Sequence, residues 1–288
     1  MLLRLGHSPD SDDAFMFWAL ASGRVQSPGL EFEHILRDIE TLNTWALEGR
    51  LECTAVSAHA YAHVASRYAI LSHGASMGDG YGPKVVSCRL SEPSELEGAL
   101  IAVPGEMTSA FLALRLWWSG DVVHHSGELK RSALRYQVMP FDSIMEAVRD
   151  GSADAGLIIH EGQLTYRHVG LKQIVDLGAW WKERSGLPLP LGVNVIRRDL
   201  PEEIQRQASA ALRASIVAAL ENRQEALRYA LQFARGLENR TADEFVSMYV
   251  NDWTVDMGEA GRRSIRMFLE EGAQRGLVPT PLELHFVD

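Results

Sequence analysis

The sequence predicts a two-lobed α/β protein, and three observations carry that prediction. Short apolar runs alternate with helical patterns through the first third of the chain, as βα units do. The alternation breaks at a polar stretch over 91–98, and a second βα series starts there. The chain has 288 residues, more than one hydrophobic core usually organises, so each series is expected to close its own core. Hydrophobic residues make up 46% of the chain, and seven Trp, seven Tyr and nine Phe supply bulky side chains for both cores, which argues against disorder.

The elements follow in order. Residues 3–7 form an apolar strand, and D-A-F-M-F-W-A-L-A over 13–21 is apolar all round, as a buried helix is. Residues 30–36 alternate like a half-exposed strand. Asp38 then caps a helix whose Ile39, Leu42, Trp45 and Ala46 recur at helical spacing. A short strand over 53–56 leads to Ser57, at the N-cap position of A-H-A-Y-A-H-V-A. Strands over 68–71 and 84–88 flank a glycine-rich loop. In the second series, a strand over 99–103 precedes Thr108-Ser109 and the apolar run A-F-L-A-L-R-L-W-W. A strand over 134–139 is followed by S-I-M-E, a capping-box pattern opened by Ser143. Residues 154–160 read as a strand ending in His160, and 174–177 as a strand before the helix A-W-W-K-E-R. Residues 188–196 are an extended return, and beyond Pro201 the chain is helical almost to its end.

This order places one lobe at 97–189 and the other at 1–96 plus 190–288, with hinge crossings near 90–98 and 188–196. Hinged lobes suit closure around a small ligand. The net charge is −10 with Lys and Arg scattered, which argues against a nucleic-acid surface but allows an anion held by helix N-termini. No apolar run reaches the roughly 20 residues that span a bilayer, so no membrane partner is expected. The first residues carry no signal-peptide pattern, so the expected compartment is the cytoplasm. Cys53 and Cys88, without metal-ligand spacing, read either as a disulfide or as two buried thiols.

Ligands of open α/β sheets bind beyond the carboxyl ends of strands. The loop over 8–13, Ser57, Thr108-Ser109 and His160-Glu161 all occupy such places. Each hydroxyl reads either as a helix cap or, with the others, as part of a carboxylate cradle. His160 follows G-L-I-I, a strand already apolar enough for the core. It reads either as a structural histidine bonded to a carbonyl or as a general base. Glu161 either orients it or faces solvent. Asp10, Asp12 and Asp13 lack EF-hand spacing, so one aspartate capping a helix is the simpler reading than calcium. His59 and His63 share a helix face without the zincin glutamate, and no phosphate-binding or dinucleotide glycine motif is present. His124-His125 reads as a solvated loop pair, and Trp117-Trp118 and Trp180-Trp181 as packing.

Several segments resemble one enzyme family. They are R-L-G-H-S-P-D-S-D-D-A-F-M-F-W-A-L, E-T-L-N-T-W-A-L-E-G-R-L, A-V-P-G-E-M-T-S-A-F-L, and G-L-I-I-H-E with V-D-L-G-A-W-W-K-E-R-S-G-L-P-L-P-L-G. Together they resemble the 1,4-dihydroxy-6-naphthoate synthases of the futalosine route to menaquinone, over nearly the whole chain and most densely over 155–198. The resemblance implies a fold like that of the two-lobed (type II) periplasmic binding proteins. It implies a lyase that splits cyclic dehypoxanthine futalosine into 1,4-dihydroxy-6-naphthoate and dihydroxyacetone. It also implies no redox cofactor and no metal. His160 matches the family's general base, and Ala55-Val56-Ser57 and Thr108-Ser109 match its substrate-binding stretches. Two departures stand out. The first loop reads S-P-D-S-D-D where the family commonly has S-P-C-P-N-D, and Ala55 stands where some members carry lysine. The expected partner is a small carboxylate substrate, whose carboxylate and hydroxyls the cradle holds while His160 removes a proton. The rival readings are a solute-binding protein, the related chorismate dehydratase and a ligand-sensing domain.

Overall fold

A computed structural model describes every residue except 119–121, 125–132 and 234–238, so His125 lies outside the described residues, and of His124 only the backbone is described. The strands run, in chain order, β1 (Leu2–His7), β2 (Glu31–Leu36), β3 (Cys53–Ser57), β4 (Tyr68–Leu71) and β5 (Ser76–Gly78), then β6 (Lys84–Ser87), β7 (Leu100–Val103) and β8 (Val122–His124). They continue as β9 (Leu134–Val138), β10 (Ala155–Ile158), β11 (Lys172–Asp176), β12 (Leu189–Arg197) and β13 (Phe286–Val287). Two compact units emerge, Met1–Met77 with Pro190–Asp288, and Gly78–Leu189. The second unit therefore begins at Gly78, not at 97. The reason is β6, which lies antiparallel between β10 and β11 in the second sheet.

The first unit holds a seven-stranded sheet in the order β13-β4-β12-β3-β1-β2, with β5 added on β12. Strands β2, β1 and β3 are parallel neighbours, while β12 runs antiparallel to β3 and β4. The all-round apolar helix Ser11–Ala21 is buried in one continuous core. Its Phe15, Met16 and Phe17 are grouped there with Leu212, Ile216 and Ala219 of the long helix Glu202–Glu221. Fully burying each such side chain contributes roughly 1.5–3 kcal/mol. Ser215 stitches the two helices, donating to the Met16 carbonyl at 2.8 Å and accepting from the Leu20 N–H at 3.2 Å.

The second unit holds a six-stranded sheet in the order β11-β6-β10-β7-β9-β8. Its core gathers Val86, Ala102, Ile144, Val148, Ile158, Tyr166 and Leu171. Three local expectations are corrected here. Ser143 does not open a capping box, because the chain enters the helix Ile144–Asp150 through the 3-10 turn Phe141–Ser143, which begins after Pro140. Ser143 is already helical at φ −88°, ψ −13°, whereas a capping side chain needs extended backbone. The glycine-rich loop contains β5. Residue 177 opens the helix Leu177–Ser185 instead of closing a strand, because Asp176 caps that helix through the N–H groups of Gly178 and Ala179 at 3.0 and 3.1 Å. The buried ammonium of Lys84 pairs with the same carboxylate. Trp181 is fully buried, in line with a packing role.

Both cysteines are free, and only Cys53 is fully buried, with Cys88 half-buried. Among the described residues no helix is long and apolar enough to cross a membrane. Nor does any group of three or more His, Cys, Asp or Glu stand ready to hold a metal ion.

Candidate active site

Each sheet has a topological switch point, and the sequence-predicted residues gather at both. In the first sheet the chain leaves β1 for β2 on one side and returns to β3 on the other. Ligands of open α/β sheets bind beyond the strand ends at such a reversal. In this unit the loop after β1 and Ser57 at the end of β3 lie at that edge. Ser57 holds the N-cap position of the helix Ala58–Val64 without capping it. Its groups are engaged instead by Asn43, whose Oδ1 accepts from the Ser57 N–H at 2.9 Å and whose Nδ2 donates to Ser57 Oγ at 3.1 Å. Ala55 and Val56 are both buried, with the Ala55 methyl in an apolar cluster with Leu42 and Leu51. Of that stretch, Ser57 alone brings a polar side chain to the edge.

The three aspartates of the first loop do not cap the helix that follows, for Asp10 holds the N-cap position without a capping bond. Asp10 and Asp13 close the loop itself: Ser8 Oγ donates to Asp10, and the Ser8 N–H donates to Asp13 at 2.7 Å. Burial first, and the charge of Asp10 with it, push the Asp13 carboxyl up to about 7, against the Ser8 N–H bond that lowers it. His7 moves the other way. Burial, then the neighbouring His34, bring it down to about 3 against its bond to the Ser8 carbonyl. The neutral His7 donates from Nδ1 to Ser8 O at 3.1 Å, so its Nε2 accepts from His34 Nδ1 at 3.0 Å.

These shifts set opposed pH windows. A depressed histidine loses folding stability as pH falls from about 6.5 towards 3. A raised aspartate loses it as pH climbs from its unfolded value near 3.8 towards 7, because the folded state then binds the extra proton. Asp13→Asn keeps an acceptor for the Ser8 N–H and removes the ionisation. It is expected to raise the free energy of unfolding by about 2–4 kcal/mol at pH 8 and by less than about 1 kcal/mol at pH 4. Urea titrations at the two pH values measure this, and equal gains at both would show that Asp13 is not held protonated.

In the second unit the chain leaves β7 for β9 on one side and returns to β10 on the other, so the switch point lies between β7 and β10. Thr108-Ser109 follow β7 and His160 follows β10, which sets them on neighbouring parallel strands at one edge. Thr108 is a helix cap: its Oγ1 accepts from the Phe111 N–H at 3.2 Å and donates to the Gly105 carbonyl at 2.8 Å. With its hydroxyl so engaged, what this segment brings to the edge is the N-terminus of the helix Ser109–Trp117, the end of a helix that favours an anion.

His160 is not the last residue of its strand, which ends at Ile158. It stands two residues beyond at φ 54°, and among the described residues it is the one non-glycine position with positive φ. Left-handed backbone costs a side-chain-bearing residue roughly 1–2 kcal/mol. Such strain persists where the surroundings over-determine it, typically at functional sites. The imidazole packs on the ring of Phe141, centroids 4.5 Å apart, while the His160 carbonyl accepts from the Gln163 N–H at 3.1 Å. Glu161 beside it is buried, which removes the solvent-facing reading.

A sequence profile described as "Menaquinone biosynthesis" matches residues 3–274. The chain belongs to the menaquinone biosynthesis family. Among curated members, it is 44% identical over 283 residues to the 1,4-dihydroxy-6-naphthoate synthase of Thermus thermophilus, covering 98% of each chain. It is 38% identical over 278 residues to the synthase of the same name from Streptomyces coelicolor, covering 96% of this chain and 95% of that one. Of solved structures, protein AF1704 from Archaeoglobus fulgidus superposes with a TM-score of 0.87 at 47% identity, over 96% of this chain and 98% of that one. The alkanesulfonate-binding protein SsuA from Xanthomonas axonopodis pv. citri superposes at 0.69 with 13% identity, over 98% and 95%, a likeness of fold alone. This member of the menaquinone biosynthesis family thus has the α/β fold of the periplasmic binding proteins, and its named relatives are biosynthetic enzymes.

Two neighbours of the candidate residues were not singled out in the sequence: Asn43, which bonds Ser57, and Phe141, which packs on His160. Asn43 carries a signal available in hindsight, a polar residue on the apolar spacing of the helix Ile39–Glu48 one place after Leu42. Phe141 carried none, since its role depends on β9 and β10 flanking β7.

Proposed function

We propose that this protein is a carbon–carbon lyase that converts cyclic dehypoxanthine futalosine into 1,4-dihydroxy-6-naphthoate and dihydroxyacetone, acting in the cytoplasm. The observation that carries the reading is His160, a histidine held in left-handed backbone at the switch point of its sheet, on the strand next to the Thr108-Ser109 segment. The chain's near-full-length likeness to proteins named 1,4-dihydroxy-6-naphthoate synthase supports that product. Imidazole accepts a proton readily near neutral pH, and a base set at the strand edges where ligands bind can start the cleavage. Gain of aromaticity in the naphthalene ring draws the cleavage forward. Ser57 and the first turn after Thr108 hold the carboxylate and hydroxyl oxygens of the substrate, and Ala55 and Val56 contribute through the position of their strand. Incubating the purified protein with cyclic dehypoxanthine futalosine is expected to release 1,4-dihydroxy-6-naphthoate, detected by mass spectrometry. Absence of product, with tight calorimetric binding of another small anion, would establish a binding protein instead.

A further inference from the structure

The carboxamide of Asn43 is fully buried and its orientation is set by two independent partners. One side meets the carboxylate of Glu40 at 3.2 Å, an acceptor, so that side is the Nδ2 amide. The other side meets the backbone N–H of Ser57 at 2.9 Å, a donor, so that side is Oδ1. With the amide fixed, its second Nδ2 hydrogen is the one aimed at Ser57 Oγ, 3.1 Å away. Ser57 Oγ therefore accepts from Asn43, and its hydroxyl hydrogen must point elsewhere. The same geometry engages the Ser57 N–H, so the backbone there does not serve a ligand.

We propose that Asn43 is a positioning residue for substrate binding: it holds the Ser57 hydroxyl as a hydrogen-bond donor directed at a carboxylate oxygen. This rests on the reading of Ser57 as a substrate-binding residue. It goes further in assigning polarity, since a hydroxyl free to rotate serves donors and acceptors alike, whereas one locked by Asn43 favours an acceptor-only group. It also accounts for a carboxylate held without lysine at position 55. Hydrogen-bond recognition of this kind discriminates because a wrong partner leaves buried polar groups unpaired.

The test is a double-mutant cycle on the full chain, with Asn43→Ala, Ser57→Ala and the double variant. Each is assayed for turnover of cyclic dehypoxanthine futalosine, and for calorimetric binding of 1,4-dihydroxy-6-naphthoate and of 1,4-dihydroxynaphthalene, which lacks the carboxylate. Each single variant is expected to raise KM and the Kd of the carboxylate ligand about tenfold, with kcat and the affinity for the ligand without a carboxylate changing less than about threefold. The double variant is expected to match Ser57→Ala, because Asn43 acts through that hydroxyl. Thermal melting controls for folding, and if Asn43→Ala melts below the assay temperature, the near-isosteric Asn43→Asp takes its place. Losses that add in the double variant, or that are equal for both ligands, would overturn the positioning role while leaving the lyase reading intact. A wild-type protein that turns over nothing would sink that reading and this inference with it.

Discussion

Replacing His160 with asparagine is expected to lower kcat by about two to four orders of magnitude, the usual worth of a general base. Asparagine is the right probe because the site demands left-handed backbone: His160 stands at φ 54°, a conformation that asparagine tolerates and alanine does not. The variant keeps the turn after β10 and removes the basic imidazole, so melting should stay within a few degrees of wild type. KM is expected to change little, since the proposed contacts to the substrate carboxylate come from Ser57 and the first turn after Thr108. Steady-state kinetics and melting together decide it. Full turnover in a folded His160→Asn protein would assign the base elsewhere.

Gly178→Ala is expected to destabilise the second unit by about 3 kcal/mol or more, although helix propensity alone predicts the opposite. Gly178 lies in the first turn of the helix Leu177–Ser185, where alanine is worth up to about 1 kcal/mol over glycine. A Cβ at that position, however, would stand 1.9 Å from the Tyr81 carbonyl oxygen and 2.6 Å from the Gly82 nitrogen. Both obstacles are backbone, and the segment is tied down by the Leu177 N–H bond to the Pro83 carbonyl at 2.9 Å. Steric overlap outweighs propensity because the obstructing atoms are main chain and cannot rotate away as a flexible side chain can. Denaturant unfolding measures the difference, and a variant as stable as wild type would mean that the two segments separate at little cost.

The pattern along the chain and the folded molecule part along a physical line. The helix capped by Asp38 is where the sequence places it, because a carboxylate three residues before the Thr41 N–H acts within one turn. The place of His160 just beyond an apolar strand follows from G-L-I-I, whereas its left-handed backbone does not. Ser143 departs from its pattern, because S-x-x-E describes a helix start only if the preceding backbone is extended, and here a 3-10 turn precedes it. The domain boundary was misplaced because β6 is assigned by its neighbours β10 and β11, far away along the chain.

By itself, then, the sequence determined the alternation of strands and helices, the residues standing at strand ends, and the family. Those depend on hydrophobic period, capping chemistry and local composition, which act over a few residues. Only the tertiary structure decided which of those strand ends share an edge, since that follows from sheet order. It alone made Ser57 a partner of Asn43 and not a cap, made Thr108 a cap and not a free hydroxyl, and buried the Ala55 methyl in the core. A hydroxyl's role depends on which partner reaches it first in three dimensions, and no pattern along the chain records that.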